Sequence, residues 1–171
     1  RKLQNSGFDI VEFGKPADLT VINTCTVNAE ADAKCRQAVR KSIRKNPATF
    51  VTVLGCYAQM GADALSEIEG VDLIIGNQHK FNILNYLNGL NKRTEPLIVN
   101  PRISRESFRI EDEGLFEWNT RANLKIQDGC NFVCSFCIIA KARGPARSRE
   151  FDDILREAGQ LVRAGHQEIV L

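Results

Sequence analysis

Leu19-Thr20-Val21-Ile22-Asn23 and Phe50-Val51-Thr52-Val53-Leu54-Gly55 decide the fold. Both runs are apolar and rich in β-branched residues, without polar alternation, as in strands of a parallel sheet covered on both faces. Further strand-like runs at 8–13 and 71–75, separated by helical patterns, extend the reading to a parallel α/β sheet. A helix is expected to start near Asn28 and to end before Pro47. Within it Ala31, Cys35, Val39 and Ile43 recur as a buried stripe, leaving Arg36, Arg40 and Arg44 on another face. A second helix is expected over 80–90, burying Ile83, Leu84, Leu87 and Leu90 and ending at Asn88-Gly89.

From 91 to 120 sustained periodicity disappears, which predicts a linker between a first domain at 1–90 and a second at 121–171. The second domain reads as a strand over 122–127, a cysteine-bearing loop, a helix over 151–164 and a strand over 168–171, the beginning of a βαβ unit. Ile154, Leu155, Ala158, Leu161 and Val162 form the expected sheet-facing stripe of that helix, with Gly165 as its C-cap. Arg1-Lys2-Leu3-Gln4-Asn5-Ser6-Gly7 reads as the last turn of a helix, so the chain is expected to begin, as it ends, inside an element.

Composition removes several function classes. A hydrophobic content of 43% in 171 residues suffices for a real core. No run approaches the roughly 18 to 20 consecutive apolar residues of a membrane span. With 23 Lys and Arg against 21 Asp and Glu, the net charge of +2 is too small to argue for nucleic acid alone, although basic residues gather at 34–45 and 141–149. Six cysteines in an alternating strand and helix pattern argue against a disulfide scaffold, and a cytoplasmic address is expected.

The cysteines carry the chemistry. Cys130, Cys134 and Cys137 form a CxxxCxxC loop, so one tight loop can aim three thiolates at three corners of a cubane cluster and leave one iron open. A zinc site is the alternative, with Cys134-x-x-Cys137 as one half and Cys130 as a third ligand. Against it, no second CxxC pair exists, and His79 and His166 lie outside the loop. A ferredoxin-type carrier would need a fourth nearby cysteine and CxxCxxC spacing. Cys25 and Cys56 each follow a predicted parallel strand, where α/β sheets place their sites, though a buried free cysteine is also an ordinary small hydrophobe. Cys35, among core-facing helical residues, reads as packing. Arg36, Arg40, Arg143, Arg147 and Arg149 suit contacts with phosphates, the alternative being a solvated helix face and a charged loop.

Gly129-Cys130-Asn131-Phe132-Val133-Cys134-Ser135-Phe136-Cys137-Ile138-Ile139, followed by Ala142-Arg143-Gly144 and Arg147-Ser148-Arg149, resembles the radical S-adenosylmethionine (radical SAM) core of methylthiotransferases. Asn23-Thr24-Cys25-Thr26-Val27 and Leu54-Gly55-Cys56-Tyr57-Ala58-Gln59 resemble that family's N-terminal domain. Ile139-Ala140-Lys141 departs from the family, which often has a proline followed by an aromatic residue there. The resemblance implies a flavodoxin-like N-terminal domain followed by the first βα(β) unit of a radical SAM partial TIM barrel. It further implies two 4Fe–4S clusters, one on Cys130, Cys134 and Cys137 and an auxiliary one on Cys25 and Cys56, whose third ligand would lie on a strand before Arg1.

By the same resemblance, the open iron would chelate the amino and carboxylate groups of S-adenosylmethionine, and one electron would cleave it to a 5′-deoxyadenosyl radical. Phe136 matches a position that contacts the adenine, the alternative being that it packs the loop. The auxiliary site would deliver the sulfur of the methylthio group. Cys25-Thr26-Val27, with Ala31-Asp32 and Lys34, looks most like the branch that modifies C2 of N6-threonylcarbamoyladenosine at position 37 of tRNA. Other branches act on isopentenyladenosine in tRNA or on a ribosomal-protein aspartate, and a zinc-stabilised RNA-binding module is the reading of another class. The implied partners are tRNA and an electron donor such as a flavodoxin or ferredoxin. The chain alone is expected to be inactive, because the rest of the barrel would follow Leu171.

Overall fold

The computed structural model describes residues 2–110 and 120–171. A short helix α1 (Lys2–Asn5) ends at Gly7, whose φ of 87° is the left-handed cap expected there. Next come β1 (Leu19–Thr24), α2 (Ala29–Lys45), β2 (Phe50–Gly55), α3 (Cys56–Met60), α4 (Ala62–Ser66) and β3 (Leu73–Ile75). A 3-10 helix (Lys80–Tyr86) leads to β4 (Leu97–Val99). The four strands form one parallel sheet in the order β1-β2-β3-β4, with Thr24 opposite Gly55 in the β1–β2 register.

Every residue of β2 is buried, which explains its unbroken apolar character. On one face Val51, Val53 and Ile74 pack with Val39 of α2, Tyr57 and Ala58 of α3, and Leu65 of α4. On the other, Phe50, Leu54, Leu73 and Ile75 pack with Ile83 and Leu87. Asn28 caps α2 by accepting from the Ala31 amide at 2.8 Å, and the helix stops one residue short of Asn46-Pro47. Asp72, fully buried, accepts from the Val51 and Arg93 amides and from Lys92, tying the loop after the 3-10 helix to the sheet.

Several expectations are corrected. The 8–13 run forms no strand: Ile10, Val11 and Phe13 are largely exposed, and a groove of about 540 Å³ separates the segment from β1. A strand needs a ladder partner, and among the described residues none pairs with this segment. The 80–90 helix is 3-10, breaks at Asn82 and ends at Tyr86; of its expected core residues Ile83 and Leu87 are buried, and Leu84 and Leu90 pack half-buried against the same cluster. The expected linker at 91–120 contains β4, which pairs with β3, and its 111–119 portion lies outside the described residues.

The second unit contains β5 (Arg121–Asn123), β6 (Gln127–Asp128), α5 (Ile139–Arg143), β7 (Arg147–Ser148), α6 (Phe151–Arg163) and β8 (Glu168–Val170). The expected 122–127 strand is thus divided: β5 pairs parallel with β8, while β6 turns away to pair antiparallel with β7. Ala122, Leu124 and Leu161 form a small core with Ile154, Ala158 and Ile169. Leu155 and Val162, assigned to the sheet-facing stripe, are more than half exposed. The inner positions beside that stripe go instead to Asp153 and Glu157, which Arg149 holds. Among the described residues no helix is long and apolar enough to cross a membrane.

Candidate iron–sulfur site

Cys25 and Cys56 follow directly on β1 and β2, and the Thr24–Gly55 pairing sets them side by side at the C-terminal edge of the sheet. The Thr24 hydroxyl donates to the Leu54 carbonyl at 2.7 Å and accepts from the Ala58 amide at 3.3 Å, joining the two strand ends to α3. Gly55 has φ of 104° and ψ of −156°, a conformation open essentially to glycine alone. A Cβ there would meet the Thr24 carbonyl at 2.5 Å and Asn23 Oδ1 at 2.7 Å. Gly55→Ala is therefore expected to lower stability by about 1–3 kcal/mol from backbone strain alone and to part the two cysteines. Urea unfolding together with an iron assay checks this.

Cys35 packs against the α2-side core, and its thiol donates to the Cys25 carbonyl at 3.5 Å. The packing role expected of it therefore includes steadying the Cys25 backbone.

The Cys130–Cys137 loop leaves β6 through Gly129, whose φ is 77° and whose missing Cβ leaves room for the Gly144 and Pro145 carbonyls. The Cys130 amide donates to the Gly144 carbonyl at 3.1 Å, the Ala146 amide to Asn131 Oδ1 at 2.9 Å, and the Cys137 amide to the Cys134 carbonyl at 3.1 Å. Backbone and Asn131 thus hold the loop, leaving the thiols unspent. All six cysteines are free; Cys134 is exposed, and Cys130 and Cys137 are half-buried. Phe136 is 90% exposed and Phe132 is 78% exposed. Neither ring is buried by the loop.

Asp128, immediately before Gly129, is a buried carboxylate. Burial opposes its ionisation, but Lys125 at 2.9 Å and the Gly129 amide outweigh it and hold the carboxyl below its usual range. Arg143 and Arg147 lie 3.9 and 3.8 Å from the same carboxylate.

The two cysteine sites are neighbours, because α3, which begins at Cys56, packs against α5, which follows Cys137. The Arg143 guanidinium pKa is raised, chiefly by its interaction with Cys56; burial opposes the rise, and Asp128 and Cys25 add to it. Asn77 Nδ2 lies 3.4 Å from Cys56 Sγ and donates to the Ala142 carbonyl at 2.7 Å. Lys80 donates to Asn77 Oδ1 at 3.3 Å, and burial, with Lys125 beside it, lowers its ammonium pKa. Neither Asn77 nor Lys80 is conspicuous in the sequence, since nothing local marks a residue whose role depends on positions 56 and 142.

The donor set fits an iron–sulfur cluster. It consists of free thiols, with the Asn77 side-chain amide 3.4 Å from the Cys56 sulfur. Among the described residues, no three or more His, Cys, Asp or Glu gather as a site for a single metal ion, whereas a cubane takes each thiolate at its own iron.

The five arginines separate into three groups. Arg40 is exposed on α2. Arg36 donates to the Tyr57 hydroxyl at 2.5 Å and lies over that ring, and Arg143 faces Cys56. Arg147 and Arg149 do not fit the phosphate-contacting expectation. Arg147 is 9% exposed, donates to Gln78 Oε1 at 2.9 Å and lies over the Phe108 ring. Arg149 is 3% exposed and is bound to Asp153 and Glu157.

Residues 1–76 match the family model described as "Uncharacterized protein family UPF0004", and residues 124–171 match the radical SAM superfamily. The threonylcarbamoyladenosine tRNA methylthiotransferase MtaB of Bacillus subtilis (strain 168) is 41% identical over 98% of this chain and 38% of its own length. Its counterpart in Aquifex aeolicus (strain VF5) is 39% identical, covering 99% of this chain and 42% of its own length. The tRNA-2-methylthio-N(6)-dimethylallyladenosine synthase of Pelagibacter ubique (strain HTCC1062) is 34% identical, over 96% and 38%. The chain thus spans about two-fifths of the length of these curated relatives. Fold, cysteine loop and superfamily match together define a radical SAM protein with a second cysteine-bearing α/β domain. The chain belongs to the radical SAM methylthiotransferase family.

Proposed function

We propose that this chain forms the two cluster-binding units of a cytoplasmic tRNA methylthiotransferase acting on C2 of N6-threonylcarbamoyladenosine at position 37. The observation that carries the reading is the juxtaposition of the cysteine sites: α3, which begins at Cys56, packs against α5, and Asn77 Nδ2 lies 3.4 Å from Cys56 Sγ while donating to the Ala142 carbonyl of α5. A transfer of sulfur to a radical-activated carbon needs its sulfur source and its radical source within one cavity. Higher identity to the two threonylcarbamoyladenosine enzymes than to the dimethylallyladenosine synthase supports the substrate choice.

Cys130, Cys134 and Cys137 would hold one 4Fe–4S cluster, which supplies reductive cleavage of S-adenosylmethionine. Cys25 and Cys56 would hold the auxiliary one. A strand added along the free edge of β1, across the groove beside 8–13, would bring a third ligand next to Cys25. Phe136 would cover the adenine, and Arg143 and Lys80 would offset negative charge at the sulfur. Arg40, exposed on α2, is the phosphate contact open to solvent on this reading, with Arg36 half-buried beside it against Tyr57, and a flavodoxin or ferredoxin would supply electrons.

Mass spectrometry of tRNA nucleosides from cells lacking the full-length protein tests the reading. The expected result is loss of the methylthio form of threonylcarbamoyladenosine with retention of the unmodified nucleoside. Normal levels of that nucleoside, with loss of a ribosomal-protein methylthioaspartate or of methylthio-isopentenyladenosine, would move the activity to another branch.

A further inference from the structure

Asn77 and Gln78, in the turn after β3, are the two residues of the first domain that grip the second through successive side chains. Asn77 is 3% exposed. Its Nδ2 donates to the Ala142 carbonyl at 2.7 Å and also lies 3.4 Å from Cys56 Sγ. Its Oδ1 accepts from Lys80 at 3.3 Å, and its backbone amide donates to Gln59 Oε1 at 2.9 Å. Because an ammonium cannot accept and a carbonyl cannot donate, the neighbours fix the amide orientation: oxygen to Lys80, nitrogen to Ala142 and Cys56. Gln78 Oε1 accepts from Arg147 Nη1 at 2.9 Å and from the Ser104 amide at 3.2 Å, but touches neither cysteine site.

We propose that Asn77 is a positioning residue shared by both cysteine sites: one amide hydrogen locks α5, and with it the Cys130–Cys137 loop, onto the first domain, while the other holds the Cys56 sulfur. Two hydrogens on one nitrogen serve two acceptors, so docking of the domains and electron density at Cys56 are set together. The electronic half rests on the auxiliary-cluster reading given above; the docking half does not. A hydrogen bond to a ligating sulfur stabilises the more negative, reduced state of a cluster and raises its potential.

Asn77→Leu removes both donors at nearly constant size and without adding charge, and Gln78→Leu removes only the Arg147 and Ser104 contacts. In the metal-free protein, hydrogen exchange of the α3 and α5 amides is expected to quicken together by roughly tenfold in Asn77→Leu, the loss of about one hydrogen bond. Unchanged exchange in α5 would overturn the latch. In the iron-loaded full-length protein, an EPR-monitored titration is expected to show a lower auxiliary potential in Asn77→Leu, by about 59 mV for a tenfold change. Gln78→Leu should keep the wild-type potential; a potential unmoved in Asn77→Leu, or moved equally in both variants, would overturn the sulfur contact. Asn77→Ala, with the same expected directions, serves if the leucine variant does not fold. A wild-type protein that takes up no second cluster would remove the functional reading and leave hydrogen exchange to decide the latch.

Discussion

Cys134→Ser is expected to remove about four iron atoms per chain from the full-length protein and to abolish turnover, while shifting stability by no more than about 0.5 kcal/mol. The reason lies in how the loop is held. Cys134 is exposed, and the loop uses its carbonyl, which accepts from the Cys137 amide, and not its sulfur. The Cys130 amide and Asn131 anchor the rest to Gly144 and Ala146. A thiol that contributes nothing to packing can be exchanged for a hydroxyl without unfolding the loop, but a hydroxyl is a poor ligand for iron. Cys35→Ser makes the contrast: that thiol packs on the core and bonds the Cys25 carbonyl, so the cost is about 1 kcal/mol with iron at the Cys130–Cys137 loop unchanged. Iron and sulfide determination beside thermal unfolding distinguishes the two outcomes.

Arg149→Met is expected to destabilise the protein by about 3–5 kcal/mol, equivalent to a fall in melting temperature of roughly 6–20 °C. The guanidinium is buried between Asp153 and Glu157, and its removal leaves two buried carboxylates short of a partner. Asp153 keeps the Ile110 amide at 3.0 Å and Arg156 at 2.5 Å, whereas Glu157 loses the ion pair that holds it. RNA affinity and its salt dependence should not change beyond the effect of unfolding. Burial works against ionisation of Asp153, but bonds from Arg149, Ile110 and Arg156 outweigh it and hold the carboxyl well below the usual range.

A carboxylate so lowered contributes stability that is complete above its unfolded pKa of about 3.9 and is lost as pH falls toward the folded value. Without Arg149 the folded value moves back up, so the variant should lose less stability than the parent between about pH 4 and pH 2. Chemical denaturation across that window checks the sign. A variant with an unchanged melting temperature but weaker RNA binding would return Arg149 to the phosphate-contacting set.

How much of this was legible in the sequence depended on whether the cause was local. The β-branched run at β2 announces a parallel sheet because a strand covered on both faces has no polar face to show, whereas β1, read the same way, is the half-buried edge strand. Cys25 and Cys56 were visible as strand-end residues for the same reason. The 8–13 run resembles a strand just as well, yet strand formation requires a neighbour that the run itself does not encode. Leu155 and Val162 fall on a plausible helical stripe, but the inner position beside it is taken by carboxylates that only the fold brings to Arg149. Charge alone could not tell Arg149 from Arg40, since one is spent inside and the other faces water. Asn77 gave no sign at all, because its partners lie 21 and 65 residues away.

The most direct test of the central claim is EPR spectroscopy of the full-length protein after anaerobic reconstitution with iron and sulfide and reduction, recorded with and without S-adenosylmethionine. The account predicts a reduced 4Fe–4S signal that changes when S-adenosylmethionine is added and disappears in the triple serine variant of Cys130, Cys134 and Cys137. A preparation that instead carries about one zinc per chain, with no iron–sulfur signal or visible absorption, would contradict it.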